Sequence, residues 1–458
     1  MMDLTKGKEW RVLLIFSLPI FLGNLFEQFY NIIDTVIVGN LVGARGLSAV
    51  GSSTQIVALT ISVSTGMSIG ASVIIFQLYG AKKNKDMKEV IDTNLIFNSL
   101  FSTLLMILTL FCSDFLLKLL NVPVHLLFDV SAYLKTTLLG LPFLFAYNTL
   151  ANILRGLGDS KTPTTILISS VLLNTLLDLL FIKGFAYGLV GAALATAIAQ
   201  LFSFVVCLLY MHKYYPELVP NFFHLKWRRR ILKHSLAIGF PAMLQQVFIS
   251  LGFLVIQFLV NGFGTSAIAA YTAASKVDAF AEMPAINLGQ ALMNFTAQNE
   301  GAGKQKRITK GGKSALITTL LISIAISVLI YSFAPHFIIL FNHSKTIVWI
   351  GQNYLRIVSV FYFIFGAMQV LNGLLLGYGK SLLPLIASII TFCFLQVPLA
   401  VFLSHTSLGF NGIWLAAPCL SSSFLLLKAA TISLHGMHLL TGNPVPILPL
   451  PTRIWYKA

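Results

Sequence analysis

Twelve apolar segments, each long enough to cross a lipid bilayer, constrain this sequence more than any other feature. They fall at about 12–39, 48–79, 90–112, 126–152, 162–182, 189–211, 232–260, 267–298, 314–334, 346–372, 382–404 and 409–432. A helix needs about 20 consecutive, mostly apolar residues to span the hydrocarbon core of a bilayer. Only 10% of the residues are charged, whereas soluble domains carry about 25%. The sequence therefore predicts an all-α integral membrane protein with twelve transmembrane helices surrounded by lipid.

The chain also contains an internal repeat with an offset of 221 residues. Gln77 recurs as Gln298, and Gly80 recurs as Gly301. The same offset relates Gly156, Gly158, Ser160 and Pro163 to Gly377, Gly379, Ser381 and Pro384. Because six spans per copy is an even number, both copies insert with the same orientation, related by an axis along the membrane normal. We expect two homologous six-helix lobes around a central cavity, at residues 1–222 and 223–441, with a basic linker at about 211–233 and a cytoplasmic tail at 442–458.

Lysines and arginines are concentrated in the loops that this arrangement places on one side of the membrane. These loops follow the second, sixth and eighth spans, at residues 82–88, 226–233 and 304–313. Basic loops remain in the cytoplasm, so the pattern predicts a multi-pass protein of the plasma membrane with both termini cytoplasmic. The topology accounts for the net charge of +16, and we expect no nucleic-acid partner.

A few polar residues lie inside the apolar segments, and four of them occur at a similar depth. Asp34 is on span 1, Asn174 and Asp178 are on span 5, and Thr196 is on span 6. Counted along helices, these residues lie roughly 7–13 Å below the outer surface. Acidic residues at bilayer depth usually face a protein interior and indicate function. The oxygen ligands suit Na⁺ and the carboxylate pair suits H⁺, so we predict a coupling-ion site, with an interhelical hydrogen-bond network as the alternative.

The second copy lacks this group of polar residues, since Leu399 occupies the position equivalent to Asp178. Further polar residues are candidates for roles near the ion site or in a substrate cavity. The possible neighbours of the ion site are Glu27, Tyr30, Asn31 and Asn148, and the possible cavity residues are Gln245, Gln246, Asp278 and Glu282. Acidic residues in a cavity would attract small cationic amphipathic molecules. Alternatively, Lys276 neutralises Asp278. We find no pattern of catalytic residues or of a bound cofactor, so we do not expect an enzyme.

Several motifs resemble the multidrug and toxic compound extrusion (MATE) transporters. These are Pro19 and Asp34 in the first span followed by VGNLVGARGLSAVG, then GAKKNK, and NILRGLGDSKTP. The resemblance implies Na⁺- or H⁺-coupled efflux of drugs by alternating access in a monomer. It also implies that Asp34, Asn174, Asp178 and Thr196 form the cation site of the N-terminal lobe. The alternatives are a flippase for lipid-linked oligosaccharides from the same broader superfamily and, less favoured by the residues, an integral membrane enzyme.

Overall fold

The computed structural model describes residues 2–119, 124–219 and 227–416, and all regular secondary structure in these ranges is helical. The helices are α1 (Glu9–Leu41), α2 (Ala44–Gly80), α3 (Asn84–Leu119), α4 (Val124–Leu138), α5 (Leu141–Gly156), α6 (Lys161–Leu179), α7 (Gly188–Tyr214), α8 (Arg229–Asn261), α9 (Thr265–Gly301), α10 (Gln305–Ile339), α11 (Lys345–Ser359), α12 (Tyr362–Gly377), α13 (Leu382–Ile389) and α14 (Val397–Ser404). Short π-helices occupy Leu180–Gly184 and Ile390–Gln396. Most of the predicted twelfth span, the tail at 442–458 and part of the linker lie outside the described residues.

The described helices confirm the predicted all-α membrane architecture. Nine stretches are long and apolar enough to cross a membrane, with α4 and α5 forming one of them, Leu126–Gly156. A tenth span is formed by α11 and α12, which meet at an angle of 51°. Helix α9 is too polar to be recognised by its hydropathy, and a further helix begins at residue 410, within the last predicted segment. The lobe boundaries in sequence remain a prediction. We refer to α1–α7 as the N-lobe and to α8 onward as the C-lobe.

The two lobes meet most closely along α2 and α8, where glycines allow the backbones to touch. A Cβ atom added to Gly66 would lie 2.3 Å from the Met243 Cα atom, and one added to Gly70 would lie 2.2 Å from the Ser235 carbonyl oxygen. The two hydroxyls of Ser62 and Ser250 are 2.7 Å apart across the same interface. Small residues repeated every four positions let membrane helices pack in this way.

The lobes also touch at the end of the bundle where the lysines and arginines of the α2–α3 and α9–α10 turns lie, which we call the basic end. Here the Gln298 side-chain amide donates to the Gly156 carbonyl over 2.7 Å. The Gln77 amide donates to the Gly377 carbonyl over 3.2 Å. These contacts cross from one lobe to the other, so the structure is closed at the basic end.

Candidate functional site

The polar residues predicted to form the ion site come together inside the N-lobe. Asp34 lies on α1 and Asp178 on α6, and their carboxyl groups are close enough to interact electrostatically. Asn174 lies one turn before Asp178, and both side chains are buried, with exposed fractions of 3% and 0%. The π-helix Leu180–Gly184 begins two residues after Asp178. Such local widening of a helix is common at functional sites.

This N-lobe cluster is short of hydrogen-bond partners. Within the part of the chain that the structure describes, both carboxylate oxygens of Asp178, Oδ1 of Asp34 and both amide atoms of Asn174 are buried and have no hydrogen-bond donor or acceptor. Neither aspartate forms an ion pair among the described residues. Buried polar atoms are normally satisfied, because leaving one unpaired costs about 1–3 kcal/mol. The cluster therefore has the oxygen atoms that a small cation requires, or a carboxyl pair that can share a proton.

Two tyrosines complete the surroundings of the aspartates. The Tyr30 hydroxyl lies near the Thr196 hydroxyl, which donates to the Ala192 carbonyl over 3.1 Å. Tyr133 on α4 lies close to both aspartates. Tyr133 was not predicted from the sequence, because a tyrosine in an apolar segment carries no signal of its own. Tyr30 and Thr196 thus lie beside the aspartates, and their part in ion binding stays a prediction.

Three other predicted neighbours lie apart from this cluster or make no contact with it. Asn148 donates to the Ser64 hydroxyl over 3.2 Å and lines the central cavity instead. Glu27 lies on α1 in the electrostatic range of Arg155 rather than of the aspartates. The Asn31 side chain is exposed and forms no hydrogen bond among the described residues. Position along the predicted spans was thus insufficient to predict their surroundings.

A central cavity of about 330 Å³ lies between the lobes, bounded by α1, α2, α5, α8, α9 and α12 and by the second π-helix. Gln245, Gln246 and Glu282 line it, as proposed for cavity residues. Eight side-chain amides dominate its polar surface: Asn148, Asn152, Gln245, Gln246, Gln290, Asn294, Gln369 and Asn372. Amides both donate and accept hydrogen bonds, so this lining can accommodate varied polar groups.

Two charged side chains of opposite sign line this cavity. Glu282 makes no ion pair or hydrogen bond among the described residues. Arg155 donates to Asn152 Oδ1 over 3.3 Å, and its buried Nε has no partner in the described chain. In the sequence, Arg155 stands out only as part of the motif NILRGLGDSKTP. The cavity therefore offers a carboxylate for a cationic group and a guanidinium for an anionic group.

Asp278 does not line the cavity. It is buried inside the C-lobe, where the Tyr354 and Tyr362 hydroxyls each donate to one of its carboxylate oxygens. Lys276 is exposed and forms no ion pair among the described residues, so it does not neutralise Asp278. Both sequence-based interpretations of Asp278 were therefore wrong, because its partners come from α11 and α12, more than 70 residues away along the chain.

The fold and the two sites define a class of protein: a two-lobed helical membrane carrier with a polar cavity between its lobes and an acidic cluster in one lobe. The sequence model of the MatE family matches residues 19–180 and again 241–402, so the repeat predicted from single residues is also a repeat of the family model. The chain belongs to the MatE family.

Two similar proteins come from Bacillus subtilis (strain 168). The probable multidrug resistance protein YpnP is 33% identical over 430 residues, covering 93% of this chain and 95% of the relative. The probable multidrug resistance protein YoeA is 30% identical, covering 92% and 93%. A solved structure of a MOP superfamily transporter from Pyrococcus furiosus superposes with a TM-score of 0.86 at 23% identity, covering 94% of this chain and 97% of that chain, and supports the twelve-span, two-lobe fold.

Proposed function

We propose that this protein exports small amphipathic molecules, organic cations among them, in exchange for Na⁺ or H⁺ bound at the N-lobe cluster. The electrostatic proximity of the two buried carboxyl groups of Asp34 and Asp178 carries the proposal. Two carboxylates about 4 Å apart repel each other by about 4 kcal/mol at an effective dielectric constant of 20. A cation or a proton between them removes this repulsion, and the described residues supply no basic side chain for that purpose.

The exchange follows from the two separate sites. The N-lobe cluster binds the coupling ion, while the amide-lined cavity with Glu282 binds the substrate between the lobes. Alternating access exposes the cavity to one side of the membrane at a time, and binding at the cluster biases the lobes toward one arrangement. The two Bacillus relatives are named as multidrug resistance proteins, which supports several substrates rather than one.

The location of the protein and the choice of substrate class also follow from its charges. We expect the protein to lie in the cell membrane as a monomer. By the positive-inside rule, its basic end faces the cytoplasm. The flippase alternative requires several basic groups for a pyrophosphate, whereas Arg155 is the single basic residue among the described residues that line the cavity. The cavity therefore favours drug-like substrates over lipid-linked oligosaccharides.

Transport in proteoliposomes tests this function. A fluorescent organic cation is followed while a Na⁺ gradient or a proton gradient is imposed separately, without ATP. We expect at least one gradient to drive transport against the substrate gradient. Transport that ignores both ion gradients, or that requires ATP hydrolysis by this chain, would refute the exchange.

A further inference from the structure

We infer that residues 2–8, which we call the strap, form a releasable clasp that holds the basic end closed. The strap precedes α1 and crosses the boundary between the lobes. On the N-lobe side, the Met2 backbone N–H donates to the Gly158 carbonyl over 3.0 Å. Gly158 has a φ of +83°, and a Cβ atom there would lie 2.1 Å from the Met2 carbonyl oxygen. This turn accepts the strap only because its residue is glycine.

On the C-lobe side, side chains bind the carbonyl groups of the strap. Arg307 of α10 donates to the Gly7 carbonyl over 2.6 Å and to the Lys6 carbonyl over 2.7 Å. Two further donors are Lys304, to Thr5 at 2.8 Å, and Asn299, to Leu4 at 3.2 Å. Carbonyl groups outside helices need partners, and a guanidinium offers several donors in a fixed geometry. Basic side chains of the C-lobe thus hold a backbone segment that continues into the N-lobe.

One apolar side chain anchors the strap. Leu4 is only 1% exposed. It packs in a cluster with Phe16 of α1 and with Leu292, Phe295 and Val370 of the C-lobe. The Arg307 guanidinium lies 5.3 Å from the centre of the Phe295 ring, so the anchor and the polar contacts share one site.

These contacts must break if the basic end is to open, because the strap touches both lobes at once. The bond from Lys304 to Thr5 and the bonds from Arg307 to Gly7 and Lys6 lie at exposed positions. The bonds from Arg307 to the Leu4 carbonyl are partly buried. Water can replace the exposed bonds at a small net cost. The geometry therefore describes a clasp that can be released in each cycle rather than a permanent joint. This inference rests on the alternating access of the proposed function, but it can be tested without transport.

The test measures access to the cavity from the basic end. In the full chain, with the four native cysteines replaced by alanine, Met293→Cys places one thiol on the cavity wall. A membrane-impermeant maleimide is then added at the basic end. We expect Arg307→Gln, and separately Leu4→Ser, to raise the labelling rate about tenfold. The first variant removes the guanidinium bonds to the strap together with the 3.3 Å ion pair from Arg307 to Glu9, and the second removes the apolar anchor. Leu4 lies outside the helices, so that variant keeps the test valid if Arg307→Gln does not fold.

Lys310→Gln is the matched control, because Lys310 lies on the same helix, is exposed and forms no side-chain hydrogen bond or ion pair among the described residues. It should label at the parent rate. Parent-rate labelling of both Arg307→Gln and Leu4→Ser would overturn the clasp. If the two variants label faster but neither ion gradient drives transport by the parent protein, the clasp is retained and the proposed exchange is refuted.

Discussion

Gln77 and Gln298 make the same hydrogen bond from opposite lobes. Each donates its side-chain amide to the carbonyl of the glycine that ends a helix of the other lobe, Gly377 and Gly156 respectively. The two donors are 221 residues apart, and so are the two acceptors. The repeat therefore builds the closure of the basic end twice, and the two halves are related by the approximate two-fold axis of the fold.

Glycines next to this pair should be essential for closure. A Cβ atom on Gly80 would lie 2.0 Å from the Gln298 carbonyl oxygen, and one on Gly301 would lie 1.9 Å from the Gln77 carbonyl oxygen. Backbone cannot move away cheaply, so Gly80→Ala and Gly301→Ala should keep the basic end open and abolish export. Distances between spin labels on the two lobes would report the opening. Gly51→Ala on the same helix as Gly80 should change nothing, since no atom lies within 4 Å of its added Cβ. Closed-state distances in both alanine variants would contradict this prediction.

Charge at the N-lobe cluster should be required for ion coupling. Asp34→Asn and Asp178→Asn keep the size of the side chain but cannot be ionised. Each should abolish gradient-driven export while leaving membrane insertion intact, because removing a buried charge relieves its desolvation. Asn174→Ala and Thr196→Ala remove one neutral oxygen each and should reduce coupling less.

Efflux driven by imposed gradients measures this coupling. Leu399→Ala is the control, since Leu399 occupies the position of Asp178 in the other repeat. If both asparagine variants export at the parent rate with the same ion dependence, the cluster has only a structural role.

The tyrosines around Asp278 should contribute to the stability of the C-lobe. Tyr354→Phe and Tyr362→Phe each remove one donor to the buried carboxylate. Hydrogen bonds to charged groups contribute about 1.5–3 kcal/mol, so each variant should lower the melting temperature in detergent by several degrees. Tyr331→Phe is a control, because Tyr331 is half exposed and its hydroxyl bonds to no described residue. Equal melting temperatures in all three variants would contradict the assignment.

Glu282 should select for positive charge in the cavity. Glu282→Gln should weaken the binding of a monovalent organic cation about tenfold, because the carboxylate attraction is lost at low dielectric. Binding of an uncharged substrate of similar size should hardly change. Arg155→Gln, which removes the opposite charge from the same cavity, should not weaken the binding of the cation. Binding constants from tryptophan quenching or calorimetry measure both effects, and equal losses for charged and neutral ligands would argue against a charge effect.

The orientation of the bundle can be tested by labelling single cysteines in intact cells. Lys83→Cys lies in the α2–α3 turn and Lys306→Cys lies just after the equivalent α9–α10 turn, while Lys345→Cys lies at the opposite end of the bundle. We expect an impermeant reagent outside the cell to label only position 345. Labelling of 83 and 306 from opposite sides would refute the repeat, because equivalent turns of a parallel repeat must share a side.

The sequence was sufficient to predict the helices, the repeat and the level of the N-lobe cluster. Depth follows from counting residues along helices, so Asp34, Asp178 and Thr196 could be assigned to one level. The direction in which each helix faces does not follow from counting. Counting residues could not predict that Asn148 lines the cavity or that Tyr133 lies close to the aspartates of the cluster.

Contacts between segments that are distant along the chain also could not be predicted from the sequence. Asp278 and Glu282 are one turn apart, yet Glu282 lines the cavity while Asp278 binds tyrosines of the bent span α11–α12. That outcome depends on how α9 is surrounded, which spacing on α9 alone cannot show. The strap contacts could not be predicted from the sequence for another reason. The groups that bind Arg307 are backbone carbonyls, which every residue possesses.

The polarity of α9 has a consequence for how the protein is made. The helix is too polar to pass as a membrane span by its hydropathy, although 22 of its 37 residues are buried by neighbouring helices. Insertion into the bilayer during synthesis depends on the hydrophobicity of each segment. Because α12, one of the helices packed against α9, is translated later, α9 should remain poorly inserted until that helix emerges. We therefore expect the helices of the C-lobe to settle in the membrane in a different order from their translation.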